Sequence, residues 1–174
     1  MRTHALPILP LSLALALALS PPARAESIET ELKSAKQPRV DERLSSVLDA
    51  AAVAYSVLDS GDIEVLAALA DGRRQRVILR SKTHAYRQEE WREVYSIAHA
   101  LPEGSSASPA LLERLLADND TLSLGAWSVV NGRITLALRL PARSSPLRVV
   151  EAIDFTAEVA DALERELGGD PDAR

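Results

Sequence analysis

The sequence contains no cysteine, which excludes disulfide-stapled miniproteins, cysteine-ligated zinc or iron–sulfur centres and thiol nucleophiles. Aromatic residues are also scarce and make up only 3% of the 174 residues. With 47% hydrophobic and 26% charged residues, the composition is nevertheless that of a folded globular domain rather than a disordered chain. The formal net charge of -5 argues against a general nucleic-acid binder.

The first 25 residues have the pattern of a secretory signal peptide. Arg2 and His4 form a short basic region before an apolar stretch at residues 5–19, and Ala23 and Ala25 provide the small residues that signal peptidase requires. The apolar stretch is shorter than the roughly 20 residues that span a bilayer, and two prolines interrupt it. We therefore expect cleavage after Ala25, a periplasmic or secreted protein, and no membrane span.

The remaining chain divides into a polar lead-in at residues 26–38, one domain at residues 39–168 and a short tail at residues 169–174. Apolar residues recur at helical spacing after Pro38 and predict a helix at residues 39–52. The next three apolar runs, at residues 55–58, 63–69 and 75–81, are separated by turns that contain glycine. They predict an antiparallel meander.

Residues 82–90 are polar and predict a connection, whereas residues 91–101 fit either a helix or a strand. Their β-branched and aromatic content favours the strand. In that case Val94, Ser96 and Ala98 lie on one face, and Tyr95, Ile97 and His99 lie on the other.

The second half of the domain begins with Ser108 and Pro109, an N-cap and first-turn pair that predicts a helix ending at Asn119. Runs at residues 121–130 and 133–140 flank Asn131-Gly132, the strongest hairpin signal in the chain. A long helix follows at residues 147–167, with one charged stripe composed of Glu151, Asp154, Glu158, Asp161 and Arg165. The fold class is therefore α+β: an antiparallel sheet of about five to six strands with three helices, in the order α-β-β-β-β-α-β-β-α.

This order, together with three stretches of sequence, resembles the YbjN-like family, which shares its fold with class I type III secretion chaperones. The stretches are residues 55–80, residues 92–98 and residues 112–140, and the segment LLADN followed by LGAW carries most of the resemblance. The resemblance implies a type III secretion chaperone-like fold, a protein-binding or chaperone-like role and a homodimer. It brings no catalytic residues, and secretion chaperones differ from this chain in having no export signal.

No catalytic constellation is recognised in the sequence. His84 and His99 are fifteen positions apart and lack the H-E-x-x-H spacing of zinc hydrolases. The sequence also contains no G-x-S-x-G elbow and no phosphate-binding glycine loop. We expect a non-enzymatic protein without cofactor or metal, and a hydrolase with an unrecognised site remains as an alternative.

Arginines concentrate on the two predicted hairpins and suggest a binding surface. Alternation places Arg76, Ile78 and Arg80 on one face of their strand, and it likewise groups Arg133 and Arg139 around Ala137. An apolar centre with a basic rim is typical of a peptide-binding or dimer surface. The same arginines also suit a small-ligand or lipid-headgroup-binding envelope sensor, or they serve only solubility and edge protection. The candidate binding residues are Arg76, Ile78, Arg80, Arg133, Ala137 and Arg139.

Overall fold

The computed structural model describes residues 39–168, so the predicted signal peptide, lead-in and tail lie outside the described residues. Within them the chain forms three helices and a six-stranded antiparallel sheet, in the predicted order. The α+β class is confirmed, and residues 91–101 belong to a strand. The helices are α1 (Glu42–Ala50), α2 (Pro109–Thr121) and α3 (Pro146–Glu166). The strands are β1 (Ser56–Val57), β2 (Ile63–Ala68), β3 (Arg74–Tyr86), β4 (Glu89–Ala100), β5 (Ala126–Val130) and β6 (Arg133–Pro141).

The strands lie in the order β1-β2-β3-β4-β6-β5, so β4 separates the two arginine-bearing hairpins. The turn between β5 and β6 is formed as predicted, because Asn131 and Gly132 both adopt a positive φ, 50° and 71°. Helix α2 connects β4 to the hairpin formed by β5 and β6, which returns so that β6 pairs with β4.

All three helices pack on one face of the sheet. Side chains that alternate along the strands form the core under them, with Val77, Leu79, Val94, Ile134 and Leu136 fully buried. Helix α3 contributes the facing layer, including Ile153, Ala157 and Ala160. Because successive residues of a strand point to opposite sides, the same packing leaves a second sheet face without a helix among the described residues.

Helix α1 starts later than Pro38 suggested. Its N-cap is Asp41, whose carboxylate accepts a hydrogen bond from the Arg43 backbone N–H at 3.0 Å. The carboxylate satisfies one of the unpaired N–H groups of the first turn, which makes aspartate a favoured N-cap.

The predicted polar connection at residues 82–90 was wrong. Strand β3 continues to Tyr86, β4 begins at Glu89, and Arg87 adopts a positive φ of 55° in the tight turn between them. This half of the hairpin projects past β2, whose pairing with β3 ends at Leu79, and its β3 side chains are mostly exposed. Polar residues are tolerated on both faces of such a segment, so hydrophobic alternation does not reveal it.

The predicted end of α2 at Asn119 was also wrong, because the helix continues to Thr121. Asn119 acts through its side chain instead: its carboxamide oxygen accepts from the Trp127 N–H at 2.6 Å, and its amide donates to the Trp127 carbonyl at 3.2 Å. The strand predicted from residue 121 starts only at Ala126.

The charged stripe of α3 is only partly solvated. Glu151, Asp154 and Glu158 are exposed as expected. The Asp161 side chain, however, is only 7% exposed; it accepts a hydrogen bond from Arg73 at 2.7 Å and forms an ion pair with Arg165 at 3.3 Å. Arg73 lies in the turn before β3, so this ion pair fastens α3 to the sheet.

Candidate functional site

The sheet face opposite the helices, here called the open face, carries the candidate residues. Strand register places Tyr95 of β4 beside Ile78 of β3 on one side and beside Ala137 of β6 on the other. The two predicted arginine groups are therefore separated by one strand, and Tyr95 and Ile97 form the surface between them.

Two adjoining depressions occupy the centre of the open face. The larger, called the groove, has a volume of about 330 Å³, and the smaller, called the pocket, has a volume of about 190 Å³. They share three lining residues, Tyr95, Ile97 and Arg133. The groove is also lined by Arg80, Glu93, Ser128, Val130, Asn131, Thr135 and Ala137, and the pocket by Leu58, Arg76 and Ile78.

Five of the six candidate residues therefore meet around one surface. Arg80, Arg133 and Ala137 line the groove, and Arg76 and Ile78 line the pocket. Ile78 is only 5% exposed, so it forms the floor of the pocket rather than an exposed apolar centre. The sixth residue, Arg139, lines a third depression, which shares Glu93, Ser128 and Ala137 with the groove.

Two of the arginines are already paired with carboxylates. Arg76 forms an ion pair with Glu64 on the neighbouring strand. Arg80 binds Asp62 at 3.2 Å and Glu93 at 3.5 Å, and its guanidinium lies 4.9 Å from the centre of the Tyr95 ring. Burial lowers the pKa of Arg80, but Tyr95, Asp62 and Glu93 outweigh it and raise the pKa overall. The charge of Arg80 is therefore permanent and largely neutralised.

Arg133 differs from these two residues. It is exposed, and it forms no ion pair with any residue in the described part of the chain. It immediately follows the Asn131-Gly132 turn and pairs with Val130 on β5 and Ala100 on β4, so its backbone is held on both sides. The Arg133 guanidinium, which has no ion-pair partner among the described residues, thus lies where the groove and the pocket meet.

A polar cluster, here called the Asp41 clamp, fixes the backbone beside Arg80. Arg92 is 2% exposed, binds the Asp41 carboxylate at 2.6 Å and donates to the carbonyl oxygens of Arg80 and Ser81. A side-chain hydrogen bond from Arg43 is the main cause that lowers the Asp41 pKa to about 2, against burial and with help from Arg92. The clamp holds the irregular pairing between Leu79 and Thr83 in place.

The sequence did not single out Tyr95, Ile97 or Glu93 as site residues. Their strand alternation was visible and put Tyr95 and Ile97 on one face. The sequence does not show that β4 lies between β3 and β6, and it is this strand order that brings the three residues next to both arginine groups.

The two histidines do not share a site. His84 pairs with Trp91 at one end of β4, and His99 pairs with Ile134 near the other end. Most of β4 separates them, about 25 Å at the usual rise of a strand. Residues 39–168 contain no group of three or more acidic or histidine side chains placed to hold a metal ion.

Comparison with known proteins adds no relative: no protein-family model matches the chain, and no curated protein is similar to it. Among the described helices, none is both long and apolar enough to cross a membrane.

Proposed function

We propose that this chain is an exported, non-enzymatic polypeptide-binding module of the YbjN-like type, and that its binding surface is the open face. The observation that carries the proposal is the amphipathic centre of that face, where half-buried Tyr95 and Ile97 lie between arginines. Tyrosine and arginine are the residue types that dominate binding energy in protein interfaces. The resemblance of the sequence to a family that shares its fold with secretion chaperones supports the same role.

The form of the surface favours a polypeptide over a small ligand. The groove is open, and its lining residues come from four neighbouring strands, β3, β4, β6 and β5. Its polar lining residues, Ser128, Asn131 and Thr135, offer hydroxyl and amide groups suited to a peptide backbone. A lipid-headgroup or metabolite sensor would depend on the arginine cluster, yet Arg76 and Arg80 already have carboxylate partners.

Site-specific crosslinking in the cells that produce the protein tests the proposal. We would replace Ala137, which lines the groove, with the photoreactive residue p-benzoylphenylalanine. The matched control places the same residue at Asp154, which is exposed on α3. Light-dependent polypeptide adducts are expected from position 137 and not from position 154, and adding Tyr95→Ala should reduce them at least severalfold.

Two results would contradict this function. Equal adducts from both positions would mean that the groove has no special affinity for polypeptide. Absence of adducts from position 137, combined with Arg76- and Arg80-dependent binding to vesicles of anionic phospholipid, would favour the lipid-headgroup sensor.

We also propose export with cleavage after Ala25, for which the pattern of residues 1–25 is the support. N-terminal sequencing of the protein recovered from the producing cells should then start at Glu26. An intact Met1 terminus on the recovered protein would contradict export.

A homodimer is the remaining part of the proposal. The edge strand β5 carries no charged residue, although sheet edges are usually protected by charge. The adjacent helix α2 exposes 69% of Leu116. Sedimentation equilibrium of the native protein should give twice the chain mass, and a Leu116→Glu variant should shift the protein to monomer. A monomer at all concentrations would contradict this part.

A further inference from the structure

Three arginines of the open face, Arg74, Arg133 and Arg139, are exposed and form no ion pair within residues 39–168, and of these Arg133 lines both the groove and the pocket. Arg76 and Arg80 are occupied by Glu64, Asp62 and Glu93. Arg133 is exposed and forms no ion pair within residues 39–168. Because a guanidinium offers several donors in a fork that matches a carboxylate, Arg133 is suited to bind an acidic side chain.

The pocket next to Arg133 is suited to an apolar group. Four of its six lining residues are Leu58, Ile78, Tyr95 and Ile97. Its volume of about 190 Å³ exceeds the roughly 150 Å³ of a cavity known to hold benzene, so it has room for a leucine, isoleucine or phenylalanine side chain.

The two features are adjacent because Arg133 lines both the pocket and the groove. In an extended chain, side chains two positions apart point to the same side and are separated by roughly 7 Å. A polypeptide lying across the open face can therefore place an aliphatic or aromatic residue in the pocket and a carboxylate on Arg133 when the two residues are close in sequence.

We propose that the partner segment is an extended acidic peptide, in which an aspartate or glutamate that binds Arg133 lies within two positions of a large apolar residue that fills the pocket. This inference rests on the proposed function and specifies the chemistry of its partner. Charge complementarity supports it, since the open face contains five arginines, at positions 74, 76, 80, 133 and 139, against the four carboxylates Asp62, Glu64, Glu89 and Glu93. Within the described chain this positive surplus lies on the face opposite α3, whose exposed stripe is acidic.

Selection from a displayed library of random heptapeptides tests the inference. The native protein, an Arg133→Gln variant and an Arg74→Gln control are used in parallel. Arg74 is a suitable control because it is exposed on β3, forms no ion pair within residues 39–168 and lines neither the pocket nor the groove. Both substitutions remove one positive charge from an exposed position, and thermal unfolding should show that both variants are folded.

The native protein and Arg74→Gln should enrich peptides in which Asp or Glu lies within two positions of a large apolar residue. Arg133→Gln should retain the apolar preference and lose the acidic one. For a synthetic peptide of the selected sequence, measured by fluorescence anisotropy, Arg133→Gln should weaken binding about tenfold, equivalent to about 1.4 kcal/mol. For the same peptide with Asn or Gln in place of its acidic residues, Arg133→Gln should change the affinity little. Added salt should weaken only the acidic peptide's binding to the native protein.

The outcomes separate the two proposals. Enrichment of apolar residues without acidic ones, or acidic enrichment that persists in Arg133→Gln, overturns the inferred partner and leaves polypeptide binding intact. If no peptide is enriched by any of the three proteins, and position 137 gives no adduct in cells, the proposed function itself is overturned.

Discussion

The Asp41 clamp makes a prediction about stability that a nearly isosteric substitution can test. Asp41→Asn removes the negative charge that binds buried Arg92, while asparagine remains an equally good N-cap for α1. The substitution therefore isolates the ion pair from the capping interaction. Arg92 would keep its hydrogen bonds to the carbonyl oxygens of Arg80 and Ser81, but it would be a buried cation without a counter-charge.

The magnitude follows from the pKa of Asp41. A decrease from 3.8 to about 2 corresponds to about 2 kcal/mol of stability contributed by the ionised carboxylate. Removing one partner of a fully buried pair typically costs about 3–5 kcal/mol. Because the Asp41 side chain retains 13% exposure, we expect the lower part of this combined range, about 2–3 kcal/mol of lost unfolding free energy.

Urea unfolding followed by circular dichroism at pH 7 measures this change. Arg43→Met is a comparison rather than a neutral control, because the hydrogen bond from Arg43 is the main cause of the low Asp41 pKa. Since Arg43 is 42% exposed, solvent screening should keep its loss of unfolding free energy to about 1 kcal/mol, below that of Asp41→Asn. In a double-mutant cycle, Asp41→Asn and Arg92→Met should show a coupling of at least about 1 kcal/mol. If Asp41→Asn lowers the free energy of unfolding by less than about 0.5 kcal/mol, or if its effect and that of Arg92→Met are strictly additive, the Asp41 clamp does not stabilise the fold.

The pH dependence has a defined sign. The folded-state pKa of Asp41 is depressed, so its contribution is fully present above about pH 4 and is lost as the pH falls toward 2. The difference in unfolding free energy between the native protein and Asp41→Asn should therefore shrink between pH 4 and pH 2. A difference that stays constant through this window would mean that the carboxylate is not held by its arginines.

Three further predictions concern single positions. Gly125→Ala should lower the free energy of unfolding by at least about 2 kcal/mol, because φ at this position is 75° and a Cβ would lie 2.5 Å from the Ala137 carbonyl oxygen. Gly132→Ala has a similar φ but open space around the added Cβ, so it should lower the free energy of unfolding less in the same thermal-unfolding assay. Asn119→Ala should lower the free energy of unfolding by about 2 kcal/mol, since it removes the side chain that bonds the Trp127 N–H and carbonyl. An unchanged midpoint in urea unfolding would contradict a stabilising role for this side chain. Glu93→Gln should tighten binding of the selected acidic peptide severalfold, because it removes a negative charge from the groove and one of the carboxylate partners of Arg80. Equal or weaker binding in the anisotropy assay would mean that the peptide binds elsewhere.

Local signals in the sequence predicted most of the fold. The Asn131-Gly132 turn, the Ser108-Pro109 helix start and the alternation along β6 each depend on neighbouring residues only, and each is formed as expected. The errors occur where a distant partner decides the outcome. Asn119 does not end its helix because its side chain is used by Trp127, eight residues further along the chain.

The hairpin of β3 and β4 shows a second limit. Residues 82–90 carry no hydrophobic alternation, since both faces of this projecting segment are largely exposed. Backbone pairing alone extends the strands, from His84 with Trp91 to Tyr86 with Glu89, and it leaves little trace in the pattern of side chains. Such a segment is predicted as a loop whenever hydrophobicity is the main signal.

The candidate site was only partly predictable, for an electrostatic reason. The sequence shows how many arginines lie on the two hairpins, but it does not show which of them already have carboxylate partners. Arg76 and Arg80 are paired across strands with Glu64 and Glu93, whereas Arg133, at the opposite corner of the groove, is not paired with any described residue. Since a neutralised arginine contributes little to binding an external anion, the strand order leaves Arg133 as the arginine that lines both the groove and the pocket without an ion pair among the described residues.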